Sequence, residues 1–385
     1  MAKTIYEDAQ SEQRRWDSTH APVRHVDPLL AVAAILLAGF GIVMIHSATY
    51  HRLAASGQSE LYYVTRQLVA LGIGLAGMMA ATVVDYRVYR AWSPLLYGGT
   101  LLMLGYVLVG GTVVNGSRAW IAVGGFQFQP SELAKVATIL MLAALFHERR
   151  EEALGLRALV EALGVAAVPM GLILLQPDFG TFMAYVAIVF GVLLLARVRV
   201  RYMVALTLIG VTAITAVLLS GALADYQVAR LTSFVNPDQA RPADIYNVRQ
   251  AQIAVGSGQF LGRGLGRGSQ TALSFVPENQ TDFIFTVVGE ELGFVGSMLM
   301  LGAFALILWR GLRIAALSHD TFGTLIAGGV VTVLAFQLFI NVGMAIGILP
   351  VTGLTLPFVS YGGTSLVSSF LMIGLLQNVH MRRFS

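Results

Sequence analysis

Residues 244–294 read DIYNVRQAQIAVGSGQFLGRGLGRGSQTALSFVPENQTDFIFTVVGEELGF, and this stretch decides how the rest of the chain must be arranged. It passes from a polar amphipathic segment through a glycine-dense loop to a Pro-Glu turn, an Asp and a long apolar run. Glycines at 256, 258, 262, 264, 266 and 268 free the backbone to adopt positive φ and to approach another surface closely. Hydrocarbon does not tolerate lipid-exposed irregular backbone, so this loop requires water, a protein wall or a substrate cavity.

Outward from it, apolar runs long enough to span a bilayer lie at 29–48, 67–84, 94–110, 131–147, 157–175, 179–196, 203–223, 283–309, 322–347 and 359–379. They predict an all-α integral membrane protein with ten transmembrane helices and a large extracytoplasmic loop, 224–282, between helices seven and eight. Composition agrees: 56% of the 385 residues are apolar and 12% charged, about half the charge of ordinary soluble domains. Residues 1–27 read as a cytoplasmic tail with no signal-peptide character, 28–380 as one polytopic domain, and 381–385 as a short cytoplasmic tail. With both ends inside, the inner segments hold most of the Lys and Arg, including Arg87, Arg90, Arg149, Arg150, Arg310 and Arg313, while the short outer loops hold Arg52, Arg66 and Arg118. The net charge of +4 is thus dispersed by topology and forms no nucleic-acid face. The absence of cysteine excludes disulfides, thiolate metal sites and thiol nucleophiles.

Ionisable residues inside spans are functional hypotheses by default. Glu132 and Lys135, three apart at the start of helix four, share a face and suit an ion pair, a phosphate-bearing ligand, or both, with Arg118 as a second cation. Asp178, in a tight outer turn, reads as a turn or cap residue. Glu290 and Glu291 read as bundle-internal partners. His147, Glu148, Glu151 and Glu152 lack zinc-site spacing and read as a solvated inner face. Asp282 stands where Asp or Thr281 makes a good N-cap, but beside a basic glycine loop its carboxylate also suits a general base. The glycine series lacks the Lys-Ser/Thr ending of a P-loop.

Five ordered motifs carry a family resemblance: FQPSELAK (128–135), QPDFGT (176–181), YNVRQAQIAVGSG (246–258), VPENQTDFIF with GEELGF (276–294), and LPVTGLTLPFVSYGGTS (349–365). The chain resembles the SEDS proteins of bacterial shape, elongation, division and sporulation. GLGRGSQTALSFVPE is more like the elongation (RodA) branch than the division (FtsW) branch. The resemblance implies a peptidoglycan glycosyltransferase that polymerises lipid II on the outer face of the cytoplasmic membrane. Its implied partners are a class B penicillin-binding protein, undecaprenyl-linked glycan and other elongation-complex membrane proteins. It implies Asp282 as catalytic base and matches Glu132, Lys135 and Arg66 to family positions; with Arg118 and Arg249 these are the candidates for the pyrophosphate or sugar, and Gln129, Asp178, Glu278, Thr281, Tyr361 and Ser365 are candidate supporting residues on the outer face. The implied reaction is an inverting displacement: Asp282 takes the proton of the acceptor's 4-hydroxyl as that oxygen attacks the donor's anomeric carbon. No cofactor or metal ligand set follows, and a divalent cation at the pyrophosphate is compatible with this chemistry without being required by it. Gln280 stands where many relatives carry His, and Ala119 where many carry a polar or basic residue. A lipid-precursor flippase would use the same fold with charges at the midplane, and a scaffold that only recruits a synthase would need no base.

Overall fold

The computed structural model describes residues 26–114, 116–148, 155–220 and 242–383. Most of the predicted N-terminal tail, Arg149 to Glu152, the start of the large loop with Arg230 and Arg241, and the last two residues lie outside the described residues.

In chain order the helices are α1 (Pro28–Ala55), α2 (Tyr62–Val83), α3 (Tyr86–Gly110), α4 (Pro130–His147), α5 (Leu156–Leu174), α6 (Phe179–Leu195) and α7 (Val200–Ser220). Then come α8 (Pro242–Ser257), the single-turn α9 (Ser269–Ala272), α10 (Ile284–Ala316), α11 (Thr321–Ala345) and α12 (Gly363–Met381). One helix of 17 or more residues falls on each predicted span, and α1 to α5, α10 and α11 are each long and apolar enough to cross a membrane. α12 is more polar because protein, not lipid, surrounds it: Thr364, Ser365, Ser368, Ser369, Gln377 and Asn378 are all buried. α10 and α11 pack together at the centre, with α1 and α8 against α10, α4 and α6 against α11, and α12 along α2. None of the described side chains of α7 is buried.

The stretch before α4 contains an unpredicted antiparallel sheet, β1 (Thr112–Val114), β2 (Ser117–Val123) and β3 (Phe126–Phe128). Gly116 (φ 84), Gly124 (φ 54) and Gly125 (φ 82) make its two turns, because tight hairpins need positive φ. Strands of three residues carry too little alternation to be read beforehand.

The end of the bundle remote from Asp282 is clasped by polar side chains. Asp27 caps α1 through Leu30 N and pairs with Arg310 at 2.5 Å, while its backbone N–H donates to Gln377 Oε1 and its carbonyl accepts from Gln377 Nε2. Asn378 donates to the Ala81 carbonyl at the end of α2, and Arg382 pairs with Asp85 at 3.4 Å. These contacts fix the starts of α1 and α3 against the ends of α10 and α12.

Of the three environments open to the glycine loop, the structure shows a protein wall. α10 is broken at Gly293 (φ 64, ψ −158), and the loop backbone fills the break: Arg263 N donates to Glu290 O and Gly264 N to Glu291 O, while Phe294 N and Val295 N donate to Gln259 O and Phe260 O. A side chain at Gly258 or Gly262 would run into the Gly289 or Glu291 carbonyl. The predicted loop-internal segment 246–258 is largely helical, as α8.

Candidate active site

Asp282 precedes α10, whose N-cap position is taken by Phe283, so neither Asp282 nor Thr281 occupies the cap position that the sequence offered them. Its backbone is held from several sides. Asn341 Nδ2, from the buried interior of α11, donates 2.8 Å bonds to the carbonyls of both Asp282 and Leu354. Ser360 Oγ donates to Thr281 O at 2.6 Å, and Tyr361 N donates to Gln280 O at 2.8 Å. Glu278, itself at φ 52, accepts from Thr281 Oγ1 and Gln280 Nε2 at 3.2 Å each. The Asp282 side chain remains half-buried.

The segment 349–362 acts as a strap across this end of the bundle. Gly353 (φ 79) passes Asp282 so closely that a Cβ there would stand 3.6 Å from Oδ2. On its other side Thr352 O lies against Gly180, where a Cβ would come within 2.4 Å. Gly180 is therefore the residue of the QPDFGT motif that lets the strap pass α6. Thr355 Oγ1 then bonds Ser365 Oγ at 2.9 Å, and Ser360 Oγ accepts from Leu356 N. Phe358 holds φ 65, an outlier for a bulky residue, fixed by contact with Phe304 and Phe370.

Across the strap lies the polar start of α4. Lys135 Nζ and Glu132 Oε1 form the predicted i, i+3 pair at 2.8 Å, and Ser368 Oγ donates to Glu132 Oε2 at 2.9 Å. The Lys135 side chain is 0% exposed, so it is enclosed, whereas Arg66, Arg118 and Arg249 reach solvent. Asp178 is the N-cap of α6 as read, accepting from Thr181 N at 3.0 Å and Thr181 Oγ1 at 2.7 Å. Gln129 Nε2 donates to it at 3.1 Å, which joins α4 to α6. Burial raises the Asp178 carboxyl above the ordinary carboxylate range, against the two Thr181 bonds, which favour the charged form.

Arg66 sits over the Tyr62 ring at 4.2 Å and near Phe126 at 5.8 Å. It also reaches the Tyr361 hydroxyl. Tyr361 packs edge-on to Tyr63. Arg66 thus meets the strap at Tyr361, while Arg118 lies on β2 with its guanidinium 3.4 Å from Leu108 O, and Arg249 is exposed on α8. No described hydrogen bond or ion pair joins these two to the Glu132–Lys135 pair. Among the described residues no group of three or more His, Asp or Glu side chains is placed to hold a metal ion.

Sequence reading missed Gln67 and Asn341. Gln67, fully enclosed in α2, donates to Ser360 O at 3.1 Å and accepts from Gly362 N at 3.3 Å, gripping the strap on both sides of Tyr361. A lone amide in an apolar run was its only signal. Glu290 and Glu291 do pair internally, but with donors rather than cations. Glu290 accepts from Gln270 N, Thr271 N and Thr271 Oγ1, and Glu291 from Ser47 Oγ at 2.6 and 2.8 Å.

A family model described as cell cycle protein, spanning FtsW, RodA and SpoVE, matches residues 27–384. Stage V sporulation protein E of Bacillus subtilis is 39% identical over 92% of this chain and 96% of its own length. Peptidoglycan glycosyltransferase MrdB of Escherichia coli K12 is 34% identical over 98% of each chain. Among solved structures, a chain from work on structural coordination of polymerization and crosslinking by a peptidoglycan synthase complex matches with TM-score 0.77 at 31% identity, over 94% of this chain and 99% of that one. The Rod shape determining protein RodA of Thermus thermophilus matches with TM-score 0.69 at 29% identity, over 94% and 98%. With a match this complete on top of the five motifs, the chain belongs to the FtsW/RodA/SpoVE family, the SEDS proteins.

Proposed function

We propose that this chain is a peptidoglycan glycosyltransferase that polymerises lipid II into glycan strands, with Asp282 as general base. The observation that carries the reading is the placement of Asp282: a half-buried carboxylate whose own carbonyl is held by Asn341 of α11, and whose neighbours Thr281 and Gln280 are held by Ser360 and Tyr361 of the strap that also meets Arg66. Fixed geometry lets a single base act on an acceptor hydroxyl held in line with the donor. Arg66, close to Tyr361 and half-exposed, suits the leaving pyrophosphate, where a cation stabilises developing charge. Lys135, being enclosed, contributes its field and keeps Glu132 and Ser368 in place. In this reading Asp282 removes the proton from the acceptor 4-hydroxyl, the oxygen bonds to the donor anomeric carbon with inversion, and the pyrophosphate departs with the bonding pair.

The site end of the bundle faces outward in a bacterial cytoplasmic membrane, with both termini inside, and the product is crosslinked by a class B penicillin-binding protein. The similarity to MrdB over nearly the whole chain and to RodA in fold supports an elongation role. Similarity to a chain from a peptidoglycan synthase complex supports the partner. The test is polymerisation of lipid II by wild type and Asp282→Asn, each with the penicillin-binding partner, with thermal melts alongside. Loss of polymer by at least about a hundredfold at unchanged melting temperature supports the base; retained polymer overturns it.

A further inference from the structure

The break at Gly293 divides α10 into a short section over the site and a long one below it. From Phe294 the lower section runs to Arg310, which pairs with Asp27 at the far end of the bundle, about 24 Å at 1.5 Å per residue and most of the hydrocarbon thickness. The break therefore falls at one edge of the bilayer, and the glycine loop that fills it is held at that edge. The loop's exposed side chains alternate in kind: Leu261, Arg263, Leu265 and Arg267 are exposed, with the less exposed Gly262, Gly264 and Gly266 between them. Beside them Phe260 (64% exposed) stacks on Phe294 (54% exposed), and Leu299 on the next turn of α10 is 71% exposed.

The loop cannot simply swing away from this position. Beyond its four backbone bonds to the break, Gly266 N donates to Ser47 Oγ and its carbonyl meets His51 Nε2 at 3.1 Å, both on α1. Arg263 is exposed yet oriented, its guanidinium donating to Ser257 O at 3.2 Å and Ser269 Oγ at 3.0 Å. Large apolar side chains facing outward at a membrane edge, interleaved with fixed guanidinium groups, match the acyl boundary and the phosphates of a bilayer.

We infer that the exposed face of residues 260–267 is an interfacial lipid site that dips Phe260, Leu261 and Leu265 into the leaflet edge and gathers anionic phospholipid headgroups on Arg263 and Arg267. The occupant is bulk anionic phospholipid, such as phosphatidylglycerol. The site is separate from the Asp282 chemistry and does not rest on the proposed reaction, since its loop contacts α1 and α10 through Ser47, His51 and Glu290 to Val295.

The chain has no cysteine, so Leu265→Cys gives a unique labelling position for a fluorophore. The labelled full-length protein is placed in bilayers of phosphatidylcholine with phosphatidylglycerol, with brominated chains on one lipid or the other as quencher. Quenching by both lipids, several-fold stronger per molecule for phosphatidylglycerol, is expected. Arg267→Gln, which leaves the Arg263 bonds intact, should cut that preference roughly fivefold, and adding Arg263→Gln should remove most of the rest. No quenching by either lipid would place the loop in water and overturn the site. Equal quenching by the two lipids, or a preference unchanged in the double variant, would overturn the headgroup recognition. A preference that appears only when a lipid-linked diphosphate is added would assign the arginines to that ligand and overturn the phospholipid. A thermal melt of each variant checks that the loop's loss of preference is not loss of fold.

Discussion

Asn341 Nδ2 lies 2.8 Å from the carbonyl oxygen of Asp282 and 2.8 Å from that of Leu354, so one buried amide group ties the residue proposed as base to the strap beside it. Its own Oδ1 has no partner. Asn341→Ala removes both bonds and leaves two carbonyls short of a donor, each worth about 1–3 kcal/mol. A fall in melting temperature together with at least about a tenfold drop in kcat is expected, from melts and lipid II turnover. A drop in kcat larger than the stability loss explains marks the positioning role.

The Glu132–Lys135 pair is buried on both sides. Removing one partner leaves the other charge uncompensated, at a cost of about 3–5 kcal/mol. Lys135→Met alone and Glu132→Gln alone should therefore be poorly folded. The double variant should recover much of the stability, because both charges are gone, while polymer synthesis stays low. Denaturant melts of the two singles and the double give the cycle.

Glycines that touch backbone should differ sharply from glycines that do not. A Cβ at Gly258 would stand 1.9 Å from Gly289 O, and at Gly293 2.3 Å from Gly262 N with φ already at 64. Gly258→Ala and Gly293→Ala should each destabilise by more than about 2 kcal/mol, as overpacking and strain do. Gly256 meets nothing within 4 Å, so Gly256→Ala in α8 should be neutral or stabilising by up to about 1 kcal/mol. Melting temperatures in one detergent decide it.

The raised Asp178 carboxyl gives a pH signature. A folded-state value above the unfolded 3.8 means the native state holds its proton longer, so stability falls as pH rises from about 4 through the folded value and then levels off. Asp178→Asn has no such titration. The wild-type melting temperature should decline relative to the variant across that window; parallel curves would contradict the assignment.

The helices that fall on the predicted spans, the ion pair and the Asp178 cap were legible because each depends on neighbours close in sequence: apolar runs for the helices, i, i+3 spacing for Glu132 and Lys135, and a turn followed by Thr181 for the cap. The Asp282 neighbourhood was legible in residue type but not in construction. Its supports come from Asn341, 59 residues from Asp282, and Ser360, 79 residues from Thr281, and a single Asn in an apolar helix does not announce its target. The glycine loop was read as backbone built for close approach, which holds at Gly258 and Gly262, but nothing local says that the surface approached is a break in α10. Gly180 is similar: its motif is visible, while the passing carbonyl of Thr352 is not.

Gln67 grips the strap through Ser360 O and Gly362 N, on either side of Tyr361, and Ser360 and Tyr361 in turn hold Thr281 and Gln280. Arg66 on the neighbouring position of α2 and Asp282 therefore share one short mechanical linkage rather than two separate mounts. Changes at the two ends will show strong epistasis: a first substitution that shifts the linkage spoils both, and a second adds little further loss. Any natural or engineered change at Arg66, proposed above to meet the pyrophosphate, is therefore expected to carry compensating change near Asp282, so that the two regions vary together.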